Sequence, residues 1–190
     1  MTRIALATCA ALPDLHEDDA PLVDALAARG VTAQPAVWDD PAVDWASFAL
    51  VVVRSTWDYA ARRAEFLHWA AHVDALTTLA NPLPVLQWNT DKHYLRDLES
   101  VGVRIVPTQW LEPSRGFTSR ALHTRFPASG DFVIKPAVSA GSVDTGRYTA
   151  MDAHSRGLAI THARRLLAAE RTVMVQRYVS SVDTVGERAH

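Results

Sequence analysis

The chain has 190 residues, 48% hydrophobic and 21% charged, which fits one globular domain or two small ones and excludes disorder. Its 19 basic and 21 acidic residues leave a formal charge of −2, so bulk charge gives no case for nucleic acid as a partner. A single cysteine, Cys9, excludes an intrachain disulfide and a cysteine-rich zinc site. No run reaches the roughly 18 apolar residues of a membrane span, so a cytoplasmic protein without a membrane partner is expected.

The first half alternates strand and helix patterns. Residues 3–9 form a short apolar run ending in small residues. The stretch IALATCAAL could imitate a signal sequence, but one arginine precedes it and His16-Glu17-Asp18-Asp19 follows, so it reads as a strand. Residues 20–29 carry apolar side chains at helical spacing, with Gly30 placed as a C-cap. Residues 31–37 form a second strand. Residues 50–53, LVVV, have the pattern of a strand buried on both faces of a parallel sheet. Residues 62–73 are predicted to be an amphipathic helix and 84–88 a fourth strand. Strands alternating with helices at this spacing mean βαβ units.

The pattern changes after Trp88. A helix is predicted over 89–101, capped by Asn89 or Thr90 and closed by Gly102. Residues 103–111 are strand-like, 117–126 helical, and 132–135 a strand stopped by Pro136. A small-residue loop at 138–142, a strand at 147–150, a helix at 153–169 and a strand at 172–176 complete the series. Hairpin-like spacing around 138–145 implies antiparallel pairing. The expected organisation is an α/β domain over 1–88 and a second, α+β domain over 89–190.

The 19 basic residues are 17 arginines and two lysines, Lys92 and Lys135. In so arginine-rich a protein, a compact ammonium at two positions invites a chemical reason. Lys92 falls in the first turn of a predicted helix, where the dipole disfavours a cation by about 0.3–1 kcal/mol unless an anion binds there. It is otherwise a solvated lysine softened by Asp91. Lys135 ends the strand FVIK, with Val133 on its face and Phe132 and Ile134 on the other. The loop after it, PAVSAGS, could turn backbone N–H groups toward phosphate oxygens, or be a plain hairpin connection. Arg54, Ser55, Thr56, Trp57, Asp58 and Tyr59 follow the buried strand at the edge where open α/β sheets bind ligands. The structural alternative is a local Arg54–Asp58 ion pair over Trp57. Asp14, Glu17, Asp18 and Asp19 resemble a metal site only in composition and suit a helix start. His68 and His72 lack a third ligand nearby, and no nucleophile-elbow, Walker-type or dinucleotide glycine motif occurs.

In order, RSTWDY, WNTDKHYL, FVIKPAVSAGS and TVMVQRYV resemble the ATP-grasp superfamily, and within it the O-ureido-serine cyclo-ligases of cycloserine biosynthesis. The resemblance covers nearly the whole sequence. It implies a Rossmann-like parallel pre-ATP-grasp domain followed by the α+β small lobe of an ATP-grasp domain. It also implies an ATP-dependent carboxylate–amine ligase or cyclo-ligase. Such an enzyme works through an acyl phosphate on a small amino-acid-like substrate bearing a carboxylate. Arg54 and Asp58, because they follow the buried strand, are the expected catalytic residues and are expected to face a cleft with the loop at 139–142. By the same resemblance Lys92 and Lys135 hold the phosphates, and Ser139, Gly141 and Ser142 close over them. Gln176, Arg177, Tyr178 and Val179 read the adenine, and Asp183 holds the ribose.

The family's Mg2+ ligands would lie beyond residue 190, so the second lobe is expected to be missing and the protein to be truncated at its C-terminus. Of the carboxylates near its end, only Asp183 and Glu187 remain. A homodimer is among the expected states. The remaining readings are a non-catalytic remnant with weak or no nucleotide binding, and an α/β module that binds a small molecule.

Overall fold

A computed structural model describes residues 2–186, and Glu187 lies outside the described residues. The protein forms two compact units, one ending at Asp91 and the other beginning at Lys92.

The first unit is built on four strands: β1 (Arg3–Thr8), β2 (Thr32–Val37), β3 (Leu50–Ser55) and β4 (Thr78–Ala80). All neighbours are parallel, in the order β2-β1-β3-β4. Helices α1 (Ala20–Ala27), α2 (Arg63–Leu76) and α3 (Leu83–Asn89) complete it. Alternation along the central strands feeds two cores. Ala5, Ala7 and Val51 pack with Phe66, Trp69, Ala70 and Val73 of α2 and Leu86 of α3. Ile4 and Leu6 pack with Leu15, and Leu22 and Val23 of α1 lie against them. The LVVV run is therefore covered on both faces, as its uninterrupted apolar pattern requires. Burying a ring such as Phe66, 1% exposed, contributes about 1.5–3 kcal/mol.

The expected fourth strand at 84–88 is instead α3. Pro82 and Pro84 explain this. A proline in the first helical turn gives up an N–H that has no helical partner anyway. The amides of Val85 and Leu86 then bond to the Pro82 carbonyl. Leu83 and Leu86, three apart, reach the core, while Val85 and Trp88 stay exposed. The strand position beside β3 is taken by β4, in the register Leu50↔Thr78 to Val52↔Ala80.

The second unit is an antiparallel sheet in the order β5-β8-β6-β7, comprising β5 (Thr108–Leu111), β6 (Asp131–Pro136), β7 (Gly146–Thr149) and β8 (Val173–Arg177). Its helices are α4 (Tyr94–Ser100), α5 (Ser119–Arg125), α6 (Ala153–Ala168) and the short α7 (Ser181–Val185). Phe132 and Ile134 of β6 and Val173 and Val175 of β8 pack with Leu122 of α5 and Ala159, Ala163 and Leu166 of α6. The other face of these strands carries Val133, Lys135, Met174 and Gln176, with Val133 paired to Gln176 and Lys135 to Met174.

Two boundaries differ from expectation. Residues 103–107 are irregular, and β5 begins only at Thr108, after Pro107. The helix expected over 89–101 starts at Tyr94, so Asn89 and Thr90 are not its N-cap. Asn89 ends α3. The Thr90 hydroxyl donates back to the Leu86 carbonyl at 2.6 Å and accepts from Arg63 Nε at 2.9 Å. Those bonds close α3 and leave Lys92 in the turn before α4.

Candidate functional site

Lys92 is positioned by the loop after β6. Its backbone N–H donates to the Ala137 carbonyl at 2.9 Å. Its Nζ donates to the Ser139 carbonyl at 2.7 Å and to Ser139 Oγ at 3.0 Å. Ser139 is nearly buried, so its side chain faces the ammonium. Three residues of the loop take left-handed backbone conformations: Gly141 (φ 56°), Ser142 (φ 58°) and Asp144 (φ 58°). Glycine accepts this geometry freely, and aspartate accepts it more readily than most residues. Asp144 is clamped by Arg165 at 2.6 Å and by Arg171, whose Nη2 also donates to the Val138 carbonyl at 3.2 Å. Those hydrogen bonds hold the Asp144 carboxyl below the usual range. Glu112 steadies the turn carrying Lys92. Burial pushes its carboxyl up, but hydrogen bonds from Thr172 (2.7 Å) and Arg96 (2.8 Å), together with His93, outweigh that and hold it low.

Lys92, Lys135, Ser139, Gly141, Ser142, Gln176, Arg177, Tyr178 and Val179 all line one cleft of about 500 Å³. Val106, Val133 and Val182 also line it. Gln176 is fixed by a 2.7 Å bond from its Nε2 to Thr108 Oγ1, and the Tyr178 N–H donates to the Asp131 carbonyl at 2.9 Å. Asp183 is not among the lining residues. Its carboxylate accepts from the Tyr178 hydroxyl and from Arg147 at 3.2 Å, and Arg147 lies over the Tyr178 ring. A cavity of similar volume, about 520 Å³, opens at β2 of the first unit beside Arg3, Gln34 and Phe48, and contains no residue singled out from the sequence.

In the first unit, Arg54 pairs with Asp19 rather than with Asp58. Arg54 Nε donates to Asp19 Oδ1 at 2.9 Å, and Nη2 donates to the same oxygen. Asp58 instead accepts from Trp38 Nε1 at 2.9 Å and contacts Arg62 at 3.5 Å. Trp57 is 49% exposed and packs on His16, not under an Arg54–Asp58 pair. The sequence reading placed Asp19 only in an acidic cluster at a helix start, and its pairing escaped because its partners are 35 and 36 positions away. Asp144 and Glu112 escaped it for the same reason. Among the described residues no group of three or more His, Cys, Asp or Glu side chains could hold a metal ion, and no helix is long and apolar enough to cross a membrane.

A parallel α/β unit followed by an antiparallel unit has the fold found in ATP-grasp proteins. Residues 4–81 match the family described as the N-terminal domain of the D-cycloserine synthetase DcsG. The chain is 38% identical over 189 residues to the cycloserine biosynthesis protein DcsG of Streptomyces lavendulae, covering 98% of this chain and 62% of that protein. It superposes on the crystal structure of D-cycloserine synthetase DcsG with a TM-score of 0.84 at 38% identity, covering 97% of this chain and 62% of that one. A RimK-domain ATP-grasp protein from Sphaerobacter thermophilus gives 0.66 at 19% identity, covering 94% and 64%. The D-alanine–D-alanine ligase of Bacillus anthracis complexed with ATP gives 0.61 at 11%, covering 94% and 59%, a likeness of fold alone. The resemblance carried by the four motifs is thus borne out. The chain spans about 62% of the length of the curated relative it matches.

Proposed function

We propose that this protein carries the phosphate- and adenine-binding part of an ATP-dependent ligase that joins a carboxylate to an amine, or closes an amino-acid-like substrate into a ring. One observation carries this reading: both lysines of a sequence whose other 17 Lys or Arg positions are all arginine, the left-handed loop and the end of β8 line a single cleft. The cleft suits a nucleoside triphosphate in chemistry. Two ammonium groups and a small-residue loop meet phosphate oxygens, and valines offer an apolar surface to a purine.

In such a reaction a substrate carboxylate oxygen attacks the γ-phosphorus and ADP leaves. The amine nitrogen then attacks the acyl carbon, and inorganic phosphate leaves. The contribution of Lys92 and Lys135 is to bind and orient the phosphates and offset their charge. Ser139 holds Lys92 in place for that task. The Mg2+ that the resemblance implies finds no ligand set among the described residues, and no step is assigned to it.

Because the sequence has two lysines, the reading has a direct test. Acetylation of lysine amines by an N-hydroxysuccinimide ester, mapped by mass spectrometry, is expected to slow at both Lys92 and Lys135 when ATP is present. Unchanged labelling of both at saturating ATP would remove the assignment.

A further inference from the structure

Thr145 lines two hollows of the second unit. One is the cleft that holds Lys92 and Lys135. The other, of about 400 Å³, is shared with Asp144, Gly146, Tyr148, His162 and Arg165. Residues 144–146 lead from the left-handed loop into β7, so whatever fixes them in the second hollow also shapes a wall of the first.

His162 of α6 is half-buried there. Its Nδ1 lies 2.8 Å from the Tyr148 hydroxyl, and the two ring centroids are 6.0 Å apart. The same hydroxyl rests on Gly146, where a Cβ would stand only 2.5 Å from it. The main chain of Asp144 also offers the imidazole an acceptor. A neutral ring satisfies both neighbours at once: one nitrogen donates to the Asp144 main chain, and bare Nδ1 accepts from Tyr148. A ring protonated on both nitrogens can only donate, so it ends the bond from the Tyr148 hydroxyl.

Four charged or titratable groups face the ring. Tyr148 does so from β7, Asp144 from the loop, Arg165 from α6 and Arg171 from the turn before β8. The strands β6 and β8 and the helix α5 meet α6 through apolar side chains, among them Ile134, Val175 and Leu122. Burial, then Arg165, and then Arg171 hold the imidazole below the ordinary histidine value. Asp144 opposes them and is outweighed, since both arginines already clamp its carboxylate.

We infer that His162 is a positioning residue for this wall of the cleft: its neutral ring holds residues 144–146 through Tyr148 and the Asp144 main chain, and a second ring proton frees them. The inference deepens the proposed function and rests on it only for what the wall encloses. His162 touches no nucleotide and acts through the segment it holds.

The test uses the whole 190-residue protein, 15N-labelled. Amide exchange protection at residues 143–146 is compared with that of β6 and β8 from pH 8 to pH 5, first without nucleotide. Wild type is expected to lose about tenfold in protection at 143–146 relative to the two strands as the ring gains its second proton. His162→Asn places an amide oxygen near the Nδ1 position and takes up no proton, so its protection is expected to stay level. Tyr148→Phe has no hydroxyl to donate, so its segment is expected to be weakly protected at every pH. Titration of ATP over the same range is expected to show affinity falling about threefold more in wild type than in His162→Asn, which cancels the titration of the phosphates themselves. Protection at 143–146 that is level with pH in wild type, or that falls in step with β6 and β8, would overturn the inference. So would the wild-type response in either variant, and Tyr148→Phe reports even where His162→Asn fails to fold. A segment that follows His162 in a protein that binds no ATP would sink the nucleotide reading and leave this one standing.

Discussion

Lys92 Nζ donates a 2.7 Å hydrogen bond to the main-chain carbonyl of Ser139, 47 residues further along the sequence. The cation is therefore fixed by a loop that lines its own cleft. Ser139→Ala removes the Oγ acceptor but keeps the carbonyl, so it is expected to weaken ATP binding by only about 0.5–1.5 kcal/mol, the worth of one hydrogen bond. Calorimetric titration of the variant checks this.

Asp144 holds the same loop through Arg165 and Arg171. Asp144→Asn removes the charge from both contacts. The expected outcome is faster backbone amide exchange over residues 138–145, with exchange in β6 and β8 unchanged. Unchanged loop protection would show that the φ-positive turns alone set its shape.

Glu112 gives a pH signature. Its folded carboxyl is held below the ordinary glutamate value of about 4.3. A depressed folded value contributes stability that is fully present above the unfolded value and is lost as pH falls through the folded one. The wild-type melting temperature is therefore expected to fall as pH drops below about 4.3. Glu112→Gln is expected to melt lower at pH 7 and to converge on wild type in acid. Parallel curves for the two proteins across pH 2–7 would contradict this.

Gly146 opens β7 beneath Tyr148. A Cβ there would stand 2.5 Å from the Tyr148 hydroxyl, which is hydrogen-bonded to His162 Nδ1 at 2.8 Å. Tyr148 also packs against Phe132, with centroids 5.8 Å apart. Gly146→Ala is expected to destabilise the protein by about 1–3 kcal/mol through overpacking. Adding Tyr148→Ala should remove most of that increment in chemical denaturation.

Much of the fold follows from local pattern. The uninterrupted LVVV foretells a strand covered on both faces, and along FVIK Phe132 and Ile134 are buried while Val133 and Lys135 are partly exposed. Thr78–Ala80 is too short to show a period, and Pro84, Leu86 and Trp88 alternate like a strand although the prolines start a helix. The cleft was legible because two lysines stand out among 17 arginines and the small-residue loop follows one of them. The partners of Arg54 and Lys92 were not. Asp19 and Ser139 are joined to them only by the tertiary fold, and no spacing rule spans 35 or 47 residues.

The cleft of the second unit is proposed to bind a nucleotide through its two lysines. Isothermal titration of ATP and ADP into the wild type, Lys92→Ala and Lys135→Ala measures it directly. Each variant is expected to lose about 1.5–3 kcal/mol of binding free energy, the range for a charge-assisted contact. Nucleotide affinity equal to wild type in both variants would contradict the account.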